Sequence, residues 1–467
     1  MTDDTFRDSL ATVTKEGKRV WINPRKPSGR YYTARTFVSI LLLAFLFSAP
    51  FIKIDGHPFM IFNFLERKFI IFGIPFGPQD FHILVIATIS LIVFIILFTV
   101  IYGRIFCGWV CPQTIFMEMV FRKIEYWIEG NAKKQAALRR APWTADKIFK
   151  KTFKNGIFFI ISFVIANFFL AYIIGMDRLI TIVRDPPSEH IGGLVAITIF
   201  SGVFFFVFAN FREQVCTMVC PYGRLQGVLL DQNSIVIAYD YLRGEPRGKI
   251  KKSEPSQNLG DCIDCHLCVE VCPTGIDIRN GTQLECINCT ACIDACDDVM
   301  LKVKRPKGLI RYASKNEIET KARKIFSPRT IGYTVVLLLL IGLLAVLVLT
   351  RSNVELTILR TPGLLYQDQP GNKISNLYDV KIINKTFDSF PANLQLQNIN
   401  GEIKLIGSDL IVEPQEVTEA KFLVILNKDQ IKKISTPLEI AVVSNNKTID
   451  VIKTSFLGRV TDIKGNK

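Results

Sequence analysis

The sequence holds no cysteine after Cys296, only four histidines, and no glycine-rich fingerprint for a flavin or a nicotinamide. The missing fingerprint argues against a chain that oxidises a nicotinamide cofactor by itself. From Ser352 onward there is neither cysteine nor histidine and no catalytic constellation, so docking or scaffolding suits that segment better than chemistry. His82 and His190 begin two apolar runs at the ends remote from the cysteines, roughly 37 Å away at about 1.5 Å per helical residue, and are read as structural. Acidic residues are in the minority, 42 against 57 Lys and Arg, for a net charge of +15. Nucleic-acid binding and membrane-flanking loops both produce such a surplus, and its placement, described next, argues for loops and against a nucleic-acid partner.

What is present is apolar. Hydrophobic residues make up 49% of the chain and its mean hydropathy is +0.28, too high for an ordinary soluble protein. A helix crossing a hydrocarbon core about 30 Å thick needs roughly 17 to 25 apolar residues. Five runs qualify: Thr36 to Ile52, Phe81 to Tyr102, Gly156 to Ile174, Ile191 to Phe211 and Ile331 to Leu349. The first is short and contains Pro50, but a long basic arm precedes it and no small-residue cleavage site follows, so it reads as an uncleaved span. Lys and Arg crowd the arm from Lys15 to Arg35, the loop from Arg104 to Lys154 and the segment from Arg212 to Arg329, whereas the alternate loops hold few. Basic short loops stay in the cytoplasm. The N-terminus and every cysteine are therefore expected on the cytoplasmic side, and the C-terminal segment in the periplasm.

The expected fold is a multidomain membrane protein. A cytoplasmic basic arm (1–35) leads into four transmembrane helices (36–211) and a cytoplasmic segment (212–330) holding a two-cluster ferredoxin α+β module at about 255–305. A fifth helix (331–350) and a C-terminal all-β immunoglobulin-like sandwich (351–467) follow, with strands expected at Leu377 to Ile383, Leu394 to Gln397, Ala420 to Leu426, Leu438 to Val443 and Ile449 to Thr454. The stretch from Arg122 to Lys154, with Trp127, Trp143 and Phe149 among its basic residues, reads as an interfacial helix. The loop from Phe59 to Phe76 reads as a small hairpin. Asn384-Lys385-Thr386 and Asn446-Lys447-Thr448 match the glycosylation triplet, a weak pattern in a polar segment.

Cysteine carries the chemistry. Cys262-x2-Cys265-x2-Cys268-x3-Cys272-Pro273 is followed by Cys286-x2-Cys289-x2-Cys292-x3-Cys296-Asp297. In two-cluster ferredoxins the first three cysteines of such a run bind one cluster and the fourth reaches the other. That assigns Cys262, Cys265, Cys268 and Cys296 to one [4Fe–4S] cluster and Cys286, Cys289, Cys292 and Cys272 to the second. Zinc sites rarely pack four cysteines so tightly. Asp297 stands where the first run has proline, and His266 reads as a surface or outer residue.

The other four form matching units, Cys107-Gly-Trp-Val-Cys111-Pro112 and Cys216-Thr-Met-Val-Cys220-Pro221, each just past a span. Arg104 and Arg212 precede them. This is an internal repeat of span, loop, span and Cys-x3-Cys-Pro. On a helix, i and i+4 place both thiols on one face, and pseudo-symmetry could gather all four. Such a set suits Cu(I), zinc or a further cluster, or a reversible disulfide. Met117, Met119 and Met218 lie nearby but read as packing.

Taken together, these motifs resemble the CcoG/FixG/RdxA accessory proteins of cbb3-type cytochrome oxidase, over nearly the whole chain. The resemblance implies a bacterial inner-membrane protein of oxidase maturation that reduces Cu(II) to Cu(I). It implies copper handling at Cys107, Cys111, Cys216 and Cys220, and cluster ligation by the remaining eight cysteines. It further implies a cytoplasmic electron donor, and assembly factors or a copper transporter as partners, reached through the C-terminal domain. A NapH-type quinol dehydrogenase shares the four spans and the cysteine motifs, but the fifth span and the β domain count against it. A non-catalytic copper carrier or assembly scaffold is the third reading.

Overall fold

A computed structural model describes residues 11–458 apart from 15, 65, 250–258, 323–326, 364, 408–409, 432 and 445–446. Lys15 of the basic arm and Asn446 of the second glycosylation triplet lie outside the described residues. Five helices are long and apolar enough to cross a membrane: Arg30–Phe51, Pro78–Tyr102, Ala145–Ile174, Pro187–Phe211 and Pro328–Leu349. Contacts divide the chain into two units, residues 1–51 with 85–344, and residues 52–84 with 345–467.

In the first unit, two spans begin earlier than hydropathy alone predicts, because their polar first turns are capped. The first span starts at Arg30 rather than Thr36, and the Asp294 carboxylate accepts from the Tyr31 and Tyr32 amides. The third starts at Ala145 rather than Gly156, with the Thr144 side chain accepting from the Lys147 amide. The expected interfacial helix from Arg122 to Lys154 is therefore not one helix. It is divided into Arg122–Ile128, Ala132–Arg140 and the opening turns of the third span, interrupted at Gly130, which has a φ of 82°, and at Pro142. Trp127, Trp143 and Phe149 are all exposed, as suits aromatic side chains at a membrane interface.

Several basic residues of these loops are neutralised in the interior. Glu125 accepts from both terminal nitrogens of Arg212, at 3.2 and 2.7 Å, and from Lys154 at 3.4 Å. Glu129 pairs with Lys151 at 2.8 Å and Lys154 at 3.0 Å, and Glu213 with Arg19 at 3.2 Å. Burial pushes the Glu125 carboxyl up, but Arg212, Lys154 and Arg122 outweigh it and hold it below its ordinary range. Beyond this ionic layer an aromatic core of Phe116, Phe121, Phe158 and Phe208 joins the third and fourth spans. Met117 and Met119 are buried there, and Met119 sulfur lies 3.8 Å from the Thr36 hydroxyl.

The second unit is built on antiparallel sheets. One contains Glu402–Ile406, Val417–Asn427, Lys373–Asn384 and Val354–Arg360 in that order, with Gln367–Gln369 added to Lys373–Asn384. Another contains Asn393–Leu396, Ser435–Ser444 and Lys447–Leu457. Period-two alternation points one face of each sheet inward. Tyr378 and Phe422, opposite one another in register, stack at 5.5 Å in a core that includes Ile382, Val424, Leu438, Ile440 and Phe456. The loop expected as a hairpin is a three-stranded sheet, Met60–Asn63, Lys68–Ile71 and Ile74–Phe76. It belongs to the same unit: Asp80 pairs with Lys385 at 2.7 Å and Arg351 at 2.8 Å, and His57 stacks on Phe387 at 3.8 Å.

Candidate metal centres

Each C-x2-C-x2-C run wraps around a cavity because two of its non-cysteine residues turn the backbone left-handed. Asp264 and His266 have φ of 54° and 56° in the first run, and Asn288 and Thr290 have 53° and 67° at the matching positions of the second. Asp and Asn tolerate this region, whereas a β-branched Thr is strained there. The Thr290 hydroxyl bonds to the Cys289 carbonyl at 2.6 Å, and the residue is fully buried.

The first cavity is lined by Cys262, Cys265, Cys268 and Cys296 among apolar walls from Leu267, Val299 and Leu309. The second is lined by Cys272, Cys286, Cys289 and Cys292, with Cys268 between the two. Burial pushes the Cys268, Cys286 and Cys296 thiols up to about 12 and Cys289 to about 11. A metal that binds such thiols must displace their protons. Donor spacing distinguishes a cluster from a single ion. Tetrahedral zinc with bonds of about 2.3 Å would draw its sulfurs to within about 4 Å of one another. Among the described residues, the donors that converge within 4.8 Å as a set of three are Asp185, Glu189 and His190, between the third and fourth spans, and no three thiols do. Four thiols spread around an apolar cavity fit a cubane cluster.

Arg279 was not foreseen as part of this region. Its side chain, buried to 3% exposure, bonds Asp264 at 2.5 Å, Asp277 at 2.6 Å and His266 Nδ1 at 2.9 Å. It ties the left-handed loop to the chain leaving the first run. Its only sequence signal is an arginine two residues after an aspartate that it pairs with.

The Cys-x3-Cys-Pro units are not continuous helices. Cys107 lies in the single turn Ile105–Trp109 and Cys216 in the π-turn Val215–Val219, whereas Cys111 and Cys220 leave the helix and precede a proline at the first position of the next. The residue before proline is driven out of the helical region, and proline itself suits a helix start. The two units nevertheless meet. Phe106 packs edge-on against Tyr222 at 6.1 Å, and Gln226 receives Arg104 Nε at 2.5 Å and the Cys107 thiol at 3.4 Å. Burial pushes Cys107 up to about 11 and Cys216 to about 12, reinforced in both by neighbouring thiols of the set and only partly opposed by Arg104.

This four-thiol site abuts the second cavity. Arg104 also donates to the carbonyls of Leu284, Gly223 and Cys286, the last at 3.4 Å. A Cβ on Gly108 would lie 2.5 Å from the Ile287 carbonyl oxygen and 2.6 Å from that of Asn288. Trp109 donates to the Tyr312 hydroxyl at 3.2 Å, and that hydroxyl donates to the Asn288 carbonyl at 3.4 Å. Arg212, the apparent counterpart of Arg104, instead pairs with Glu125, so the repeat is broken at the arginines. His82 bonds to the Gln79 carbonyl at 3.2 Å and His190 to Asp185 at 3.0 Å.

Comparison with known proteins agrees with these features. Residues 211–315 match a 4Fe-4S dicluster domain, residues 84–135 a 4Fe-4S binding domain, and residues 344–459 the Ig-like fold at the C-terminus of FixG. The protein RdxB of Cereibacter sphaeroides is 34% identical over 391 residues, covering 80% of this chain and 81% of RdxB. The nitrogen fixation protein FixG of Rhizobium meliloti is 31% identical over 474 residues, covering 88% and 87%. This chain belongs to the FixG/RdxA family. A crystal structure of a FixG-related protein from Vibrio parahaemolyticus aligns with 23% of this chain and 97% of its own, at 22% identity and a TM-score of 0.20. Family, spans and cysteine cavities together make this FixG/RdxA member a membrane iron–sulfur protein with electron transfer as its business.

Proposed function

We propose that this protein carries single electrons at the cytoplasmic face of a bacterial inner membrane and delivers them to Cu(II), yielding Cu(I) for assembly of a cbb3-type oxidase. In this reading Cys262, Cys265, Cys268 and Cys296 hold one [4Fe–4S] cluster and Cys272, Cys286, Cys289 and Cys292 the other. Cys107, Cys111, Cys216 and Cys220 present the thiol site to copper as substrate. Bound [4Fe–4S] clusters supply one-electron chemistry. The observation that carries the reading is the seam at Gly108 and Arg104, which sets the backbone of the first thiol unit against that of the Cys286–Cys289 loop.

The electron balance is simple. A cytoplasmic one-electron donor is oxidised, one electron passes inward, and Cu(II) gains it. Thiolates favour the softer Cu(I) product. The basic loops beside the spans support a cytoplasmic position for all twelve cysteines and a periplasmic one for the C-terminal domain, where partners of the assembly machinery would dock.

A second reading has its own support: the match of residues 84–135 to a 4Fe-4S binding domain includes Cys107 and Cys111. There the four thiols hold a third cluster, and the protein is a general or quinol-linked electron carrier. Iron, acid-labile sulfide and copper are measured on anaerobically purified protein, with Cu(II) reduction, for the wild type and a variant lacking the four thiols. About eight irons in both, with reduction lost in the variant, supports the copper reading. About twelve irons falling to eight supports the third cluster. Unchanged copper reduction in the variant overturns the assignment of the thiol site.

A further inference from the structure

Away from the thiols, a groove of about 880 Å³ runs between the first turns of the first span and the helix Arg122–Ile128. Small-molecule pockets usually enclose about 300–1,000 Å³, so the groove lies near the upper end of that range, with room for a long amphiphile. One end is cationic. Lys26 and Lys123 line it, and among the described residues neither has a carboxylate partner. Lys123 is half-buried, and burial with the nearby charges of Lys26 and Arg35 holds its ammonium below the usual lysine range. The ammonium sits 5.8 Å from the Tyr32 ring. The other end is apolar, with Phe37 and Ile40 exposed to 68% and 61%, while Trp127, exposed to 74%, lines the groove on the helix of Lys123, next to Tyr126, whose hydroxyl bonds to the Pro24 carbonyl at 3.0 Å.

Polarity therefore changes along the span. From Tyr32 to Ile40 is about 12 Å of helix rise, more than the roughly 5–8 Å of headgroup layer on each side of the hydrocarbon core. Among the described residues no Asp, Glu or His lines the groove, so the charge it offers a ligand is positive. Two unpaired ammonium groups above an apolar channel ask for a ligand with an anionic head and a hydrocarbon tail.

We infer that this groove is a specific site for an anionic phospholipid, its phosphate on Lys26 and Lys123 beside Trp127 and its acyl chains along Phe37 and Ile40. Each lysine near an anionic headgroup contributes about fivefold in affinity. The inference is independent of what the thiol site does.

Trp127 is a reporter built into the site. The full-length protein is placed in nanodiscs of phosphatidylcholine carrying increasing fractions of brominated phosphatidylglycerol, and in the converse series with brominated phosphatidylcholine in phosphatidylglycerol. The Trp127 contribution is isolated by subtracting a Trp127→Phe variant. Half-quenching is expected at a mole fraction at least about fivefold lower for the anionic quencher. Lys26→Gln reduces that preference, and Lys26→Gln with Lys123→Gln removes it while the visible cluster absorption stays unchanged. Equal quenching by both lipids overturns the inference. So does loss of the preference in millimolar inorganic phosphate, which marks a simple anion site, or equal displacement of both lipids by a quinone analogue, which marks a quinone groove.

Discussion

Asp294, on the helix that carries Cys292 and Cys296, accepts the backbone N–H of Tyr32 at 2.8 Å and of Tyr31 at 3.1 Å. A carboxylate of the ferredoxin module thereby closes the N-terminus of a membrane span, where free amides and the helix dipole both favour negative charge. Gly29 makes room for it, since a Cβ there would lie 2.4 Å from the Asp294 carboxyl carbon. A cap of this kind contributes about 1 kcal/mol, up to about 2 in a partly buried setting. Asp294→Ala should therefore speed hydrogen exchange of the first-span amides after Arg30 by about 5- to 30-fold. Gly29→Val should act in the same direction, and unchanged exchange in both variants would mean that the span is held by its other contacts alone.

The contact at Gly108 makes a sharper demand. Its missing Cβ faces backbone oxygen atoms of Ile287 and Asn288 rather than flexible side chains, so any side chain must part the two segments. Gly108→Val should leave iron and sulfide content unchanged, because it removes no cysteine. Electron delivery to the thiol site should fall about 10- to 100-fold, as displacements near 1 Å typically do at sites that depend on positioning. Stopped-flow reoxidation of the reduced clusters by Cu(II) measures this directly. A variant with wild-type reoxidation kinetics would remove the seam from the path.

These two contacts show where sequence reasoning reaches its limit. The cysteine runs are local patterns, and the strands at Lys373–Asn384, Val417–Asn427 and Ser435–Ser444 reveal themselves by alternation. The fold class was readable for that reason. The Asp294 cap joins residues 262 positions apart, so nothing near Arg30 announces the earlier start of the span. Arg104 and Arg212 occupy similar places in the repeat, yet one binds carbonyls beside Cys286 and the other a buried glutamate. Loop lysines read as topology signals, and Lys151 and Lys154 also complete an interior ionic layer. The strand Val354–Arg360 alternates too, with Leu356 and Ile358 inward, and lay outside the expected strands because it follows the fifth span so closely.

Glu125 is the centre of that layer, and its carboxyl is held low by Arg212, Lys154 and Arg122 against the pull of burial. A carboxyl depressed in the folded state contributes stability that is present above its unfolded value, about 4.3, and lost as pH falls through the folded value. Thermal stability in detergent should thus decline below about pH 4.3 in the wild type and decline less steeply in Glu125→Gln. At neutral pH that variant leaves buried cations unpaired and should lose roughly 3–5 kcal/mol. Adding Arg212→Gln should restore part of the loss, since it removes one of those cations. Additive losses in the double variant would show that the two residues are not energetically coupled.

Arg104 places a buried positive charge beside the Cys286 carbonyl and beside Gln226, which also contacts Cys107. A cation near a cluster favours its reduced, more negative form. Arg104→Gln should therefore shift the potential of the cluster at Cys286 to more negative values, by on the order of 50 mV, and leave the cluster at Cys262 nearly unmoved. Arg104→Lys keeps the charge but not the planar fork that spans Gln226, Gly223 and Leu284. It should hold the potential near the wild-type value while loosening the seam, so electron delivery slows without a matching change in driving force. Redox titration followed by electron paramagnetic resonance reads the potential, and copper-driven reoxidation reads the transfer. If both variants keep the wild-type potential, Arg104 acts through packing alone. If Arg104→Lys shifts it as far as Arg104→Gln does, the hydrogen bonds outweigh the charge.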